Sequence, residues 1–412
     1  MTMNRKQRRA EERGSGKSGL PPSPAGEAHD PIALHSLGID AFRAGRLEMA
    51  AKLIAQAIAA NGQIPSFHYN LGIVLKARGE LPEAAASYQR ALALKPDYAD
   101  AHNNLGNVWK SLGRADEART SFERALALKP GNADAHYNLG LLCGDAGNRE
   151  AAAHHFQRCL EQDPEDSRGI AMLLAHMGVT NVPERTSPAQ LQRIYDVRSR
   201  FWDRENAYFG HVLVAEGLRE GLGERAAHPD LDILDIGCGT GLVGAHVRPL
   251  AARLDGVDLS SAMLERARDK GVYDRLDQAD LVSFMSEHAN SYDAIVAAAT
   301  LIHFGDLHAL FRSAAMCLRG DGLFVFTLFT HEADGTDFAV AATDRLAQNG
   351  CFRHNSFYLK RLAAECGFSI QMLKNVLHEY DQDGNAIAGI LAVLRRIQIP
   401  SPLGGEEEKS LG

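Results

Sequence analysis

Leu234-Asp-Ile-Gly-Cys-Gly-Thr-Gly241 decides how the C-terminal half of this chain folds. The run leading into it, Asp232-Ile-Leu-Asp-Ile236, is apolar and too short for a buried helix, so it reads as a strand. Leu242-Val-Gly-Ala-His-Val247 behind it opens a helix. Glycines between the two permit a tight turn and let a ligand approach the backbone without Cβ interference. A second strand, Leu254-Asp-Gly-Val-Asp-Leu259, ends in Asp258, 17 residues after Gly241, where an acid can accept both ribose hydroxyls of an adenosine. From about residue 191 strands alternate with helices, the pattern of a largely parallel sheet covered on both faces.

Two cofactors compete for such a turn. A dinucleotide site requires G-x-G-x-x-G with pyrophosphate on the helix N-terminus, but position 242 is Leu and the third glycine arrives one residue early. The resulting run closely resembles motif I of class I S-adenosylmethionine-dependent methyltransferases. Further stations appear in the order that family keeps. Asp258 in Gly256-Val-Asp-Leu-Ser260 fits the ribose-binding acid, and Asp280 in Gln278-Ala-Asp-Leu281 the position that meets the adenine amine. Tyr292–Ala299 and Gly322–Phe329 fit the fourth and fifth strands. Ser369–Tyr380 and Ala386–Arg396 fit two closing strands around a hairpin turn at Asp383-Gly384. The resemblance covers about 191–397 and implies a Rossmann-like α/β domain with a mostly parallel seven-stranded sheet. It also implies S-adenosyl-L-methionine as cofactor, bound by Asp235, Gly237, Cys238, Gly239, Gly241, Asp258, Leu259 and Asp280.

The implied reaction is in-line displacement of an activated methyl group, for which alignment in a closed pocket supplies much of the catalysis. A base is needed only where the nucleophile is protonated. Ala298-Ala-Thr-Leu-Ile-His303 lacks the Asn-Pro-Pro-Tyr type signature of enzymes that methylate exocyclic amines. His303, at the carboxyl end of the fourth strand, and His331 and His354, in later loops, are the candidate bases. Upstream, Ile194–Trp202 resembles the helix that covers the cofactor in related enzymes, with Tyr195 or Phe201 placed to close the pocket.

The N-terminal half has another period. Gly38, Gly72, Gly106 and Gly140 recur every 34 residues, each preceded by Leu, and the series Gly45/79/113/147 and Ala50/84/118/152 keep the same interval. Pro96, Pro130 and Pro164 close the last three units. This resembles the tetratricopeptide repeat, four units over about 30–166: an α-solenoid whose helix pairs share a continuous core because one unit cannot bury its own apolar face. By the family's geometry Asn70, Asn104 and Asn138 line a concave groove where a protein or peptide partner would bind. His68, His102 and His136 recur too, with packing as the preferred reading. Repeats fused to this catalytic fold resemble the bacterial group of predicted tetratricopeptide-repeat methyltransferases. Asp306 and Arg353-His-Asn-Ser-Phe-Tyr358 look like parts of that group's pattern.

The remaining sequence bounds these readings. The chain has 412 residues, Lys+Arg 44 against Asp+Glu 52, and a net charge of −8, which argues against bulk binding to nucleic acid or anionic lipid. No stretch approaches the roughly 20 apolar residues of a membrane span. Six cysteines form no Cys-x-x-Cys pair, so no metal site is expected and the chain is read as cytoplasmic. Gly16-Lys17-Ser18 is not a phosphate loop, since Glu11 stands where its first glycine belongs. The boundaries read as a disordered basic tail 1–29, repeats 30–166, a capping helix and linker 167–190, the methyltransferase-like domain 191–397 and a disordered tail 398–412. The competing reading is a non-catalytic scaffold that binds cofactor without turnover.

Overall fold

A computed structural model describes residues 30–204, 208–331, 336–340, 350–380 and 384–397. Both tails, and Asp383 of the expected hairpin turn, lie outside the described residues. The chain divides into two compact units, Met1–Pro130 and Gly131–Gly412.

The first unit holds three helix pairs: α1 (Pro31–Arg43) with α2 (Leu47–Ala60), α3 (Pro65–Arg78) with α4 (Leu81–Leu94), and α5 (Ala99–Ser111) with α6 (Ala115–Leu128). The 34-residue glycines explain the pairing. A Cβ on Gly72 would lie 2.7 Å from the Tyr88 ring, and one on Gly106 2.6 Å from Phe122, so each pair closes by seating a fully buried aromatic on a bare backbone. Burying such a ring contributes about 2–3 kcal/mol. The second glycine series makes the turns, with φ of 73° at Gly45, 83° at Gly79 and 73° at Gly113. His68 and His102 each bond through Nε2 to a carbonyl of the preceding loop, Gly62 and Pro96, at 3.0 Å. They staple the pairs, as the packing reading expects.

In the second unit the fourth pair, α7 (Ala133–Asp145) and α8 (Arg149–Gln162), repeats this design, with Phe156 on Gly140. It shares its core with the capping helix α9 (Ile170–His176) through Ile170 and Leu174. That shared core explains why this pair groups with the capping helix rather than with the first three pairs.

Next come α10 (Pro188–Arg198), α11 (Gly210–Leu222), β1 (Leu231–Ile236), α12 (Leu242–Val247), β2 (Ala251–Asp258), α13 (Ser261–Lys270), β3 (Arg275–Gln278) and α14 (Leu281–Glu287). After them come β4 (Tyr292–Ala297), α15 (His308–Cys317), β5 (Leu318–Thr330), β6 (Phe338–Val340), β7 (Phe352–His354), α16 (Ser356–Glu365), β8 (Phe368–Tyr380) and β9 (Ala386–Arg396). The expected strands run β3-β2-β1-β4-β5-β9-β8, parallel through β5, with β9 and β8 antiparallel. The described residues hold nine strands rather than seven. Thirteen-residue β5 outruns its partners, and Phe329 and Thr330 pair with Arg353 and His354 of β7, which carries β6 on its far side.

Strand alternation gives the sheet its two apolar faces. Ile233 packs with Val214 and Leu218 of α11, while Leu234 packs with Phe284, Phe311 and Leu362 on the other side. Asp306 and Tyr358, picked out in the sequence as a pattern, form a clamp: Tyr358 donates to the Asp306 carboxylate at 3.0 Å and accepts from Leu307 N–H at 2.8 Å. Strand order reverses between β2 and β4 around β1, which opens a crevice at the carboxyl ends of β1 and β4.

Candidate active site

The loop leaving β1 enters that crevice. Gly237, Gly239 and Gly241 have φ of 67°, 54° and 87°, values costly for side-chain-bearing residues. At Gly237 a Cβ would also meet Thr300 Oγ1 at 2.4 Å, whereas at Gly239 it would meet nothing and project into open space. That bare backbone borders a cleft. Below the loop Asp235 is fully buried and accepts the Tyr273 hydroxyl at 2.6 Å. Burial raises its carboxyl to about 7, with the nearby Asp258 charge adding to the rise and the Tyr273 bond opposing it.

Asp258 closes β2 and braces the loop. One carboxylate oxygen accepts Gly239 N–H at 2.9 Å and the other Ser260 N–H at 2.8 Å. Burial raises its pKa against these backbone donors. Asp280 caps α14 through Oδ1 and pairs through Oδ2 with Arg185 at 2.6 Å. Burial pulls this carboxyl upward, but the Arg185 bond and charge, with the Ser283 and Val282 amides, hold it below the ordinary range.

Arg185 arrives on a strap from outside the glycine-loop half. Residues 184–187, expected to be linker, are bonded into the sheet end: Gly305 N–H donates to Glu184 O at 2.7 Å and Thr186 N–H to His303 O at 2.8 Å. Pro183 and Pro188 give the segment a linker's composition, yet backbone pairing of Arg185 with Phe304 holds it.

The cleft is roofed by α10 and the 3₁₀ turn Trp202–Arg204. Tyr195, Trp202 and Tyr208 face it, their rings 5.6 and 6.0 Å apart in succession. Two carboxylates hold the roof to the glycine-loop half. Asp196 accepts the Ser260 hydroxyl, and Asp203 accepts Thr240 Oγ1 and pairs with Lys270 at 3.0 Å. His303 lies at the cleft wall with its Nε2 2.7 Å from the Tyr195 hydroxyl.

Comparison with known proteins settles the class. Residues 188–373 match the family model described as a methyltransferase domain, and 74–113, 106–147 and 133–166 match models of the tetratricopeptide repeat. The chain is a tetratricopeptide-repeat methyltransferase of the S-adenosylmethionine-dependent class. A malonyl-[acyl-carrier protein] O-methyltransferase of Acetivibrio thermocellus is 34% identical over 103 residues, 24% of this chain and 36% of that protein. A ubiquinone biosynthesis O-methyltransferase of Vibrio parahaemolyticus is 23% identical over 182 residues, 42% of this chain and 77% of that protein. Among solved structures, a Burkholderia thailandensis 1,6-didemethyltoxoflavin-N1-methyltransferase with S-adenosylhomocysteine bound is 16% identical at TM-score 0.40, covering 51% of this chain and 87% of that one.

Of the cofactor residues expected in this methyltransferase, Gly237, Cys238, Gly239, Asp258, Leu259 and Asp280 line the cleft. Asp235 and Gly241 stand outside that lining: Asp235 supports the loop from below, and Gly241 caps α12. Of the three histidines, His303 reaches the cleft. His354 is fully buried and bonded to Gly305 O at 3.1 Å, and His331 is half-buried outside the lining. Tyr195 closes the roof; Phe201, the other residue placed there from sequence, is 56% exposed and points elsewhere. Arg185, Leu191, Tyr208, His211 and Phe304 are lining residues that carried no motif signal. Among the described residues no cluster of acids, histidines and cysteines has metal-binding geometry, and no helix is long and apolar enough to cross a membrane.

Proposed function

We propose that this methyltransferase acts on a small molecule enclosed beneath α10, and that its repeats hold a separate protein partner. The observation that carries the first half is the roof. Tyr195 and Trp202, fixed by Asp196 and Asp203 to the two cofactor-binding loops, cover the cleft, so an acceptor must be small enough to lie within it. Gly239 would offer bare backbone to S-adenosylmethionine, with Gly237 and Cys238 beside it in the lining. The outer lone pairs of Asp258 would accept the ribose hydroxyls, Leu259 would pack on the adenine, and Asp280 would meet its amine. Asp235 and Gly241 serve the same end by shaping the loop. The names of the O-methyltransferase relatives agree with an oxygen acceptor.

For the repeats, Asn70 bonds through Nδ2 to His35 at 2.8 Å, and Asn104 donates to the Tyr69 hydroxyl at 2.9 Å. Each amide thus points its nitrogen to the preceding repeat and leaves Oδ1 for a peptide N–H. Asn138, in the second unit, is buried. Transfer of labelled methyl into a cell extract, separated into protein and small-molecule fractions, tests the reading. Label in the small-molecule fraction supports it. Label in protein alone overturns the enclosed-acceptor half.

A further inference from the structure

We propose that Tyr195 and His303 form a proton relay that accepts the proton of a phenolic hydroxyl, making this a site for phenol methylation. The inference rests on the cofactor reading above and names the acceptor class.

Hydrogen bonding fixes the direction of the relay. His303 Nδ1 lies 3.2 Å from Gly350 O, and a carbonyl can only accept, so Nδ1 carries the proton. Nε2 therefore presents a lone pair, and the Tyr195 hydroxyl 2.7 Å away donates to it. The phenolic oxygen of Tyr195 keeps its own acceptor capacity toward the cleft that both residues line. Gly350 O also accepts the Thr186 hydroxyl, and Thr186 N–H holds His303 O, so the strap fixes the imidazole from behind. Burial lowers His303 to about 4, with the Gly350 bond opposing and the Arg198 charge adding to the fall, so the ring is neutral at pH 7 and keeps its Nε2 lone pair. Burial raises the Tyr195 hydroxyl well above its ordinary value, so it passes a proton along rather than losing one outright.

Atoms and charge balance in the step. The acceptor O–H proton moves to Tyr195 Oη as the Tyr195 proton moves to His303 Nε2. The acceptor oxygen forms its bond to the methyl carbon that S-adenosylmethionine supplies, and the electrons of the broken carbon–sulfur bond stay on sulfur. One positive charge is present before, on sulfur, and one after, on the imidazolium, which later returns its proton to water. While the proton is in transit the developing phenolate faces the imidazolium through Tyr195, and this opposite charge offsets the burial cost of ionising the ring. A phenol suits a weak imidazole base, since its pKa lies near 10, far below that of an aliphatic alcohol. Tyr195, Trp202 and Tyr208 line the cleft with aromatic surface suited to a planar acceptor.

The test uses the full chain loaded with sinefungin, an unreactive cationic analogue of the cofactor, and 4-nitrophenol as probe, whose anion alone is yellow. Below the probe's own pKa, the bound anion-to-phenol ratio is expected to exceed that in solution about ten-fold, a shift of one unit. Tyr195→Phe and His303→Gln, each read at saturating sinefungin, are expected to remove that excess. Retained anion in both variants overturns the relay, and absence of nitrophenol binding to the loaded native chain overturns the phenolic class. Failure of the native chain to bind sinefungin removes the cofactor reading instead, and the proposal with it.

Discussion

Asp258 accepts the backbone N–H of Gly239 at 2.9 Å, so the acid ending β2 holds the shape of the loop that leaves β1. Two motifs 19 residues apart are therefore one device. Removing the carboxylate costs both a loop brace and the proposed ribose acceptor. Asp258→Ala is expected to weaken S-adenosylhomocysteine binding by about 2 kcal/mol, roughly thirty-fold, the range for bonds to a charged group. Titration calorimetry measures it, and unchanged affinity would falsify the ribose assignment.

Arg185 is expected to set the charge of Asp280. Its ion pair depresses the Asp280 carboxyl, so the stability it contributes is fully present above the unfolded value near 4 and is lost as pH falls through the depressed folded value. Arg185→Met should lower the melting temperature at pH 7 and converge with the native chain at the acid end. Parallel melting curves across that range would show that the pair is a bystander.

Asp235 behaves in the opposite sense. Its folded pKa, raised to about 7, means that the protonated form is preferred in the folded chain, so stability is highest below the unfolded value near 4 and declines as pH rises to about 7. Asp235→Asn keeps an acceptor for the Tyr273 hydroxyl and cannot ionise. The variant is expected to flatten the stability profile between pH 4 and 7 and to exceed the native chain above it. A native profile that is already flat there would show that Asp235 stays ionised.

How much of the molecule is legible in its sequence depends on the distance over which each signal acts. The glycine loop, Asp258 and the 34-residue repeat are read within one strand–turn–helix or one period, where covalent spacing fixes geometry. Arg185 was hidden because its partner lies 95 residues away and its flanking prolines mimic a linker. Tyr195 and Phe201 are similarly aromatic and share one amphipathic stretch, but the helix ends at Arg198 and the chain turns before Phe201. His354 looked equivalent to His303 by loop position; pairing of β7 with the overhang of β5 takes it into the interior instead. The asparagine ladder was legible as a period, while the use of each nitrogen inside the solenoid depends on contacts one repeat away.

The repeat glycines give a prediction in which two effects compete. Alanine improves helix propensity over glycine by about 1 kcal/mol. At Gly106 the added Cβ would lie 2.6 Å from the ring of Phe122, which is fully buried and has no space to retreat, and overpacking costs about 1–3 kcal/mol. At Gly144 a Cβ would meet nothing within 4 Å. Gly106→Ala is therefore expected to raise amide hydrogen exchange across α5 and α6, and Gly144→Ala to lower it in α7. Adding Phe122→Leu to Gly106→Ala should restore part of the protection, because the smaller side chain vacates the position that the new methyl needs. Cofactor affinity should stay as in the native chain, since every residue lining the cleft lies in the second unit. Equal protection in Gly106→Ala and the native chain would mean that the helices separate at little cost, and that the glycine period reflects something other than close approach.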